Sequence, residues 1–338
     1  MKVIRAGALG FCEGVRRAVE MAWRASDPKS PLADEAKSPQ ERVYTLGPLI
    51  HNSRVQRSLE ECGIVRLEED NAGRFDKAIA SAPAGSTVII RAHGVSPLVE
   101  AELRLRGLNI LDATCPHVKA SQSKARFFAE KGYSIFLAGE KNHAEITGIL
   151  GCVESAISSD SEGTFYSVVA NGAEAALAAE DLFRRELSSS KEGAPSGESE
   201  SSMEGAGSGV KTVLIGQTTI GPEEYASIGD EIKRFFPDLE IINTICGATA
   251  DRQKALRELC DNSSPSAVDA VIIAGGPESA NTRRLLSLAR ELGKPAWLVE
   301  TPEQLPPEIG QYETIGLCAG ASTPDDQIDK IEKYLSMN

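Results

Sequence analysis

The feature that most constrains the fold is an alternation. Short apolar, β-rich runs at 2–6, 87–92, 134–137, 212–216, 270–274 and 296–299 are separated by helical patterns, among them 13–24, 118–131, 248–260 and 282–292. Strands that alternate with helices of this length build parallel sheets, because the helix supplies the crossover that two parallel strands need. The expectation is an α/β fold.

Within this alternation one local pattern occurs three times. A short apolar run ends, a cysteine follows, and a helix begins: GALGFCEGV at Cys12, LDATCPHV at Cys115 and INTICGATADRQ at Cys246. Gly14, Pro116 and Gly247 stand beside these cysteines and suit tight strand-to-helix turns. Ligands of parallel α/β domains gather at the carboxyl ends of strands, and the N-terminus of a helix favours the thiolate, the form that binds metal. A single cysteine outside a disulfide is usually a small buried hydrophobe. Three in the same context point instead to one shared centre, either zinc with an open position or an iron–sulfur cluster; spacing alone leaves both open. The chain has seven cysteines, an odd number, and no C-x-x-C pair. With no secretion signal, disulfides are not expected.

The length of 338 residues suits two or three compact domains. The formal net charge of −13 argues against nonspecific nucleic-acid binding, which needs a basic footprint. The first residues lack the apolar core of a signal peptide, and no run of 18 or more apolar residues occurs. A cytoplasmic protein without a membrane span is expected. Two polar segments read as insertions. Residues 27–41 are rich in Pro, Lys and acidic residues; residues 188–209 are almost wholly Ser, Gly, Glu and Pro and read as a disordered surface excursion.

Four histidines exist: His51, His93, His117 and His143. All but His117 sit in loop-like surroundings (GPLIHNSR, RAHGVS, EKNHAEITG) and make a case for a shared pocket, in which histidine charge is lost near neutrality. His117 follows Cys-Pro at a helix start and reads as a structural residue or as one that supports a neighbouring ligand from behind. Gln217-Thr218-Thr219, Ser279-Ala280-Asn281 and Ala321-Ser322 each follow an apolar run. Their hydroxyls and amides, with helix N-terminal amides, are what a phosphate needs. Ordinary helix capping explains each of them singly.

Nine motifs carry a resemblance. GFCEGV, LIHNSRV, AHGVS, DATCP, HAEITG, IGQTT, CGATADRQ, SANTRRL and AGAS followed by Pro324 occur in this order from near residue 1 to near residue 325. In them the chain resembles the 4-hydroxy-3-methylbut-2-enyl diphosphate reductases, which close the non-mevalonate route to isoprenoids. The resemblance implies three similar α/β domains in a pseudo-threefold arrangement around a central iron–sulfur site. Their bounds would be 13–115, then 116–245 with the 188–209 insertion, then 246–338 together with 1–12. It implies a monomer with a 4Fe-4S cluster on Cys12, Cys115 and Cys246, whose fourth iron has no protein thiolate and can take the substrate hydroxyl. His51, His93, Ser279, Asn281 and Ser322 match residues that hold the diphosphate. His143 and Glu145 match the pair near the reacting alcohol, and Thr218 belongs to the same polar network; His143 and Thr218 count as substrate-binding as well as catalytic.

Ala280 stands where the family commonly has a second serine, so one hydroxyl donor is lost while the backbone N–H of Ala280 remains to bind. The reaction implied is reductive dehydroxylation of an allylic diphosphate to isopentenyl and dimethylallyl diphosphate, with ferredoxin or flavodoxin as electron donor. Glu145, the only carboxylate of the HAEITG loop, is the natural proton donor. Two other readings compete. A quinolinate-synthase-like dehydratase would share the cluster but not the HAEITG and SANTRRL pairing. A noncatalytic metal-binding redox sensor would lack the His and Ser/Asn positions.

Overall fold

The computed structural model describes residues 1–27, 42–70, 74–157, 164–191, 209–261, 263 and 267–337. In chain order its elements are β1 (Lys2–Arg5), α1 (Glu13–Ser26), β2 (Val43–Leu46), α2 (Ser53–Glu61), β3 (Val65–Leu67), α3 (Asp76–Ser81), β4 (Thr87–Ile90), α4 (Pro97–Leu105), β5 (Asn109–Asp112) and α5 (Pro116–Glu130). They continue as β6 (Ser134–Ala138), α6 (Ala144–Ala156), β7 (Tyr166–Val169), α7 (Gly172–Lys191), β8 (Thr212–Gly216), α8 (Pro222–Lys233), β9 (Glu240–Ile242) and α9 (Gly247–Cys260). The last are β10 (Ala270–Ala274), α10 (Ala280–Glu291), β11 (Ala296–Val299), β12 (Thr314–Ala319) and α11 (Asp325–Met337).

The strands form three parallel four-stranded sheets, ordered β1-β12-β10-β11, β3-β2-β4-β5 and β7-β6-β8-β9. All three share one topology. Counting strands in chain order within each sheet, the spatial order is 2-1-3-4, and the first sheet takes its fourth strand, β1, from the N-terminus. The chain divides into two compact units. One comprises Met1–Gly94, Val99–Pro116 and Cys246–Asn338 and holds the first two sheets; the other comprises Val95–Leu98 and His117–Ile245 and holds the third.

Central strands β4, β6, β8 and β10 are buried along their whole length, as strands covered on both faces must be. Their period of two divides the core. In β10, Val271 and Ile273 pack with Leu256 and Leu259 of α9 and Leu285 and Leu288 of α10. Ala270, Ile272 and Ala274 face the other way, onto Ile328, Ile331 and Leu335 of α11. In the second unit, Phe136 and Leu214 pack against α7 and α8, while Ile135, Leu137, Val213 and Ile215 meet α5 and α6.

Each sheet closes its first strand in the same way. The N–H of Gly47, Gly139 or Gly275 donates to the last carbonyl of the neighbouring second strand, that of Leu67, Val169 or Val299. Gly275 has a φ of +145°, which side chains disfavour, and a Cβ there would lie 2.7 Å from Thr323 Oγ1.

All six expected strands and all four expected helices are present, shifted by a few residues. Six further strands had no expected bounds, although the runs that end before Cys115 and Cys246 match two of them, β5 and β9. Of these β3 and β9 are three residues long, and β12 (TIGLCA) is interrupted by glycine. The expected excursion at 188–209 begins too early: its first four residues are the last turn of α7. Residues 192–208, and residues 28–41 of the other insertion, lie outside the described residues. No helix among the described residues is long and apolar enough to cross a membrane.

Replacing Gly275 with Ala is expected to destabilise the protein by about 1–3 kcal/mol, through backbone strain and crowding at the strand end. The urea midpoint measures this. A midpoint equal to wild type would mean that the turn relaxes without cost.

Candidate active site

The shared topology determines where every candidate residue sits. In a 2-1-3-4 sheet the first and third strands are neighbours whose connections leave in opposite directions, and their carboxyl ends bound a crevice suited to ligands. After the first strands come His51 (β2), His143 and Glu145 (β6), and Ser279, Ala280 and Asn281 (β10). After the third strands come His93 (β4), Thr218 (β8) and Ser322 (β12). After the fourth, edge strands come Cys115 (β5), Cys246 (β9) and Cys12 (β1).

In the first unit, Cys12 N-caps α1 and Cys246 N-caps α9, where the Thr249 N–H donates to Cys246 Sγ at 3.4 Å. Cys115 directly precedes α5. Two of these cysteines are tied to the third-strand loops of their own sheets. The Cys12 N–H donates to the Ala321 carbonyl at 3.1 Å and the Cys115 N–H to the Ala92 carbonyl at 2.9 Å, each immediately before a candidate ligand residue, Ser322 or His93.

The rings of His51 and His93 lie 4.5 Å apart between centroids. Burial, and then the positive charge of Arg91, push the His51 imidazole down to about 4, so it is neutral at pH 7. Arg91 is itself buried and paired with Glu69 at 2.6 Å. Ser279 is the N-cap of α10, its Oγ accepting from the Thr282 N–H at 3.4 Å, so Ala280 is the first helical residue and its N–H lacks an intrahelical partner. Asn281 is only 3% exposed, and neither polar atom of its amide has a hydrogen-bond partner among the described residues. A buried amide of that kind is costly unless a ligand completes it.

In the second unit, His143 N-caps α6, and its Nδ1 accepts from the Glu145 N–H at 3.2 Å. The carboxylate of Glu145, 2% exposed, turns to Thr218: Oε1 accepts from the Thr218 N–H at 2.7 Å and Oε2 from the Thr218 hydroxyl at 3.0 Å. Burial pushes Glu145 up to about 7 against these two hydrogen bonds, which favour the ionised form. Gln217 supports the loop, its Oε1 accepting from the Glu140 N–H at 3.0 Å and its Nε2 donating to Thr219 Oγ1 at 2.8 Å.

The donor set of the first unit fits an iron–sulfur group. No disulfide joins any of the seven cysteines, and Cys12, Cys115 and Cys246 are all half-buried. Gly14, in the first turn after Cys12, leaves room for the sulfur of Cys115, since a Cβ there would lie 2.7 Å from that atom. The other four differ. Cys62 is exposed at the end of α2, Cys152 is buried in α6, and Cys260 and Cys318 share one apolar cluster, where burial raises both thiols. His117 is exposed in the first turn of α5. Sequence reasoning missed Arg252 and Gln253, buried on the inner face of α9. The signal was available, since helical period aligns Arg252 with Leu256 and Leu259.

Comparison with known proteins agrees with this architecture. The LytB protein family matches residues 3–336. A 4-hydroxy-3-methylbut-2-enyl diphosphate reductase of Treponema denticola is 39% identical over 335 residues, 99% of each chain. The solved structure of the E-1-hydroxy-2-methyl-but-2-enyl-4-diphosphate reductase from Plasmodium falciparum superposes with a TM-score of 0.75 at 25% identity, covering 98% of this chain and 87% of that one. A second solved structure, of (E)-4-hydroxy-3-methyl-but-2-enyl diphosphate reductase, the terminal enzyme of the non-mevalonate pathway, gives a TM-score of 0.59 at 32% identity over the whole of both chains. With the same α/β topology throughout and a family match across nearly its whole length, the chain belongs to the LytB family.

Proposed function

We propose that this chain reduces (E)-4-hydroxy-3-methylbut-2-enyl diphosphate to isopentenyl and dimethylallyl diphosphate. Its full-length likeness to reductases of that name carries the reading. Two electrons and two protons enter, the allylic C–O bond breaks, a C–H bond forms, and the hydroxyl leaves as water. Cys12, Cys115 and Cys246 would hold a 4Fe-4S cluster, which supplies single electrons and a Lewis-acidic iron without a protein thiolate. Ferredoxin or flavodoxin is the proposed electron donor and the cytoplasm the proposed location. A monomer of three domains, with the bounds 13–115, 116–245 and 246–338 plus 1–12, completes the proposal.

The remaining steps belong to the chain's own residues. The diphosphate is received by His51 and His93, by the hydroxyls of Ser279 and Ser322, by the Ala280 N–H and by the Asn281 amide. A neutral His51 contributes as an N–H donor, and a bound anion would draw a proton onto it. Glu145 is the acid. With its carboxyl held near 7 by burial, it carries a proton in a substantial fraction of molecules at neutral pH. When Glu145 is in its acid form, Oε2 would donate to the Thr218 hydroxyl in the reverse of the bond the ionised form accepts, leaving Thr218 free to hand on its own proton, and His143 fixes the start of α6 on which Glu145 stands.

An anaerobic assay with the hydroxymethylbutenyl diphosphate and a chemical reductant tests the activity directly. Both isomeric products should form, and absence of both from protein with a full cluster would refute the reading. Glu145→Gln should retain cluster and substrate binding but lose roughly 10²–10⁴-fold in single-turnover rate. A near-wild-type rate would take the proton from elsewhere. In the wild type this rate should fall as pH rises through about 7, where the acid form of Glu145 is lost.

Stability gives an independent check. Because the folded carboxyl holds its proton up to about 7 while the unfolded one ionises in the ordinary carboxylate range, this group's contribution to stability falls as pH rises across that window. Glu145→Gln should therefore gain on the wild type with rising pH. A urea-midpoint difference that stays constant would contradict the burial of this charge.

A further inference from the structure

Arg252 has no place in the reaction as set out above, yet its position is costly. The guanidinium lies in α9, 6% exposed, and among the described residues no carboxylate forms an ion pair with it. Its two terminal nitrogens are committed to backbone: one donates to the Ala248 carbonyl at 2.7 Å, the other to the Gly10 carbonyl at 2.5 Å. Gly10 stands two residues before Cys12, and Ala248 two residues after Cys246. The Ala248 contact stays within α9, and the Gly10 contact fastens the helix that Cys246 caps to the loop that carries Cys12, although the two cysteines are more than 230 residues apart in sequence.

A buried cation without a counter-charge is expensive, and two carbonyls offer only partial charges. Burial weakens the protonated form of Arg252, and the groups that restore it are, in order, Cys12, Cys246 and Asp251. Asp251 is exposed, where water and salt screen it. Cys12 and Cys246 thus lie close enough to the guanidinium for charge on their sulfurs to favour it, and a thiolate-ligated centre there would supply that charge.

We infer that Arg252 is a positioning and potential-setting residue of the three-cysteine site: its contact with Gly10 ties the Cys12 loop to the helix that Cys246 caps, and its fixed positive charge favours the reduced state of the centre bound there. The inference rests on the reading that these cysteines hold a 4Fe-4S cluster. When that cluster accepts one electron from a reductant, the site gains one negative charge. A fixed cation a short distance away, in a medium less polarisable than water, stabilises the reduced form more than the oxidised one. Arginine suits the task because it keeps its charge when buried and its planar fork meets two acceptors at once.

The test compares wild type, Arg252→Gln and Arg252→Lys, reconstituted anaerobically, by iron and sulfide analysis and by a dithionite titration followed by electron paramagnetic resonance. Gln keeps hydrogen-bonding capacity and removes the charge. Its one-electron equilibrium should move at least tenfold toward the oxidised form, which is ~59 mV more negative. Lys restores the charge without the fork and should return most of that shift, even where cluster content drops because the Gly10 contact is lost. A Gln variant that takes up no cluster beside a Lys variant with near-wild-type potential also supports the role. The inference falls if the Gln variant has the wild-type potential, if Lys shifts as far as Gln, or if neither folded variant holds a cluster. A wild-type protein that binds no cluster would instead refute the cofactor reading, a separate failure.

Discussion

A parallel sheet places the carboxyl ends of all its strands along one rim, and this chain puts every candidate functional residue on such a rim. The physical reason is twofold. Strand ends leave the hydrogen-bonded ladder, so their loops are free to turn side chains outward. The helices that follow begin with N–H groups that have no intrahelical partner and a positive end of the dipole, which suits thiolates and phosphates. Three sheets of the same 2-1-3-4 order repeat the device. Edge strands deliver cysteines, and the neighbouring first and third strands deliver histidines, hydroxyls, an amide and one carboxyl group. The hydrogen bonds from Cys12 to Ala321 and from Cys115 to Ala92 fasten an edge-strand loop to a third-strand loop, so in those two sheets the cysteine and the candidate ligand residues share one scaffold.

The rest of the fold bears the cost of burying polar groups there. Glu145 pays with a carboxyl that no longer ionises at the ordinary pH, Asn281 with an unsatisfied amide, and Arg252 with a desolvated charge. Each would be stabilised by what the proposed chemistry supplies: a proton to pass on, an anion to bind, a negatively charged centre. Glu145 and Thr218 come from the first and third strands of the same sheet, so their hydrogen-bonded pair is held by one rigid framework.

Much of this was legible before any coordinates. The alternation of strands and helices identified an α/β fold because the long central strands are apolar throughout, and Thr87–Ile90 or Ala270–Ala274 has no competing interpretation. The edge strands were harder. Glu240–Ile242 and Val65–Leu67 are too short for a period to register, and they exist because a neighbouring strand completes their ladder. The three cysteines were legible because one local context recurs, and the 2-1-3-4 repeat explains why it does. The charge state of His51 was not legible, since it depends on burial and on Arg91, forty residues away in sequence. Nor was the cap of α6: both His143 and Glu145 are plausible, and only the packing of Glu145 against Thr218 decides. Arg252 was missed although helical period aligns it with Leu256 and Leu259, and its contact with Gly10 is tertiary. The division of the chain into three domains was read from the motifs, while the compactness of the fold groups two of the sheets in one unit.

The central claim is that the cysteines after the three edge strands, and no others, hold one iron–sulfur cluster. Iron and sulfide analysis of anaerobically reconstituted single Cys→Ser variants tests it most directly. Wild type and Cys152→Ser should carry about four irons per chain, while Cys12→Ser, Cys115→Ser and Cys246→Ser should each lose the cluster while remaining folded. Loss of iron from Cys152→Ser, or a full cluster in any of the other three, would contradict the account.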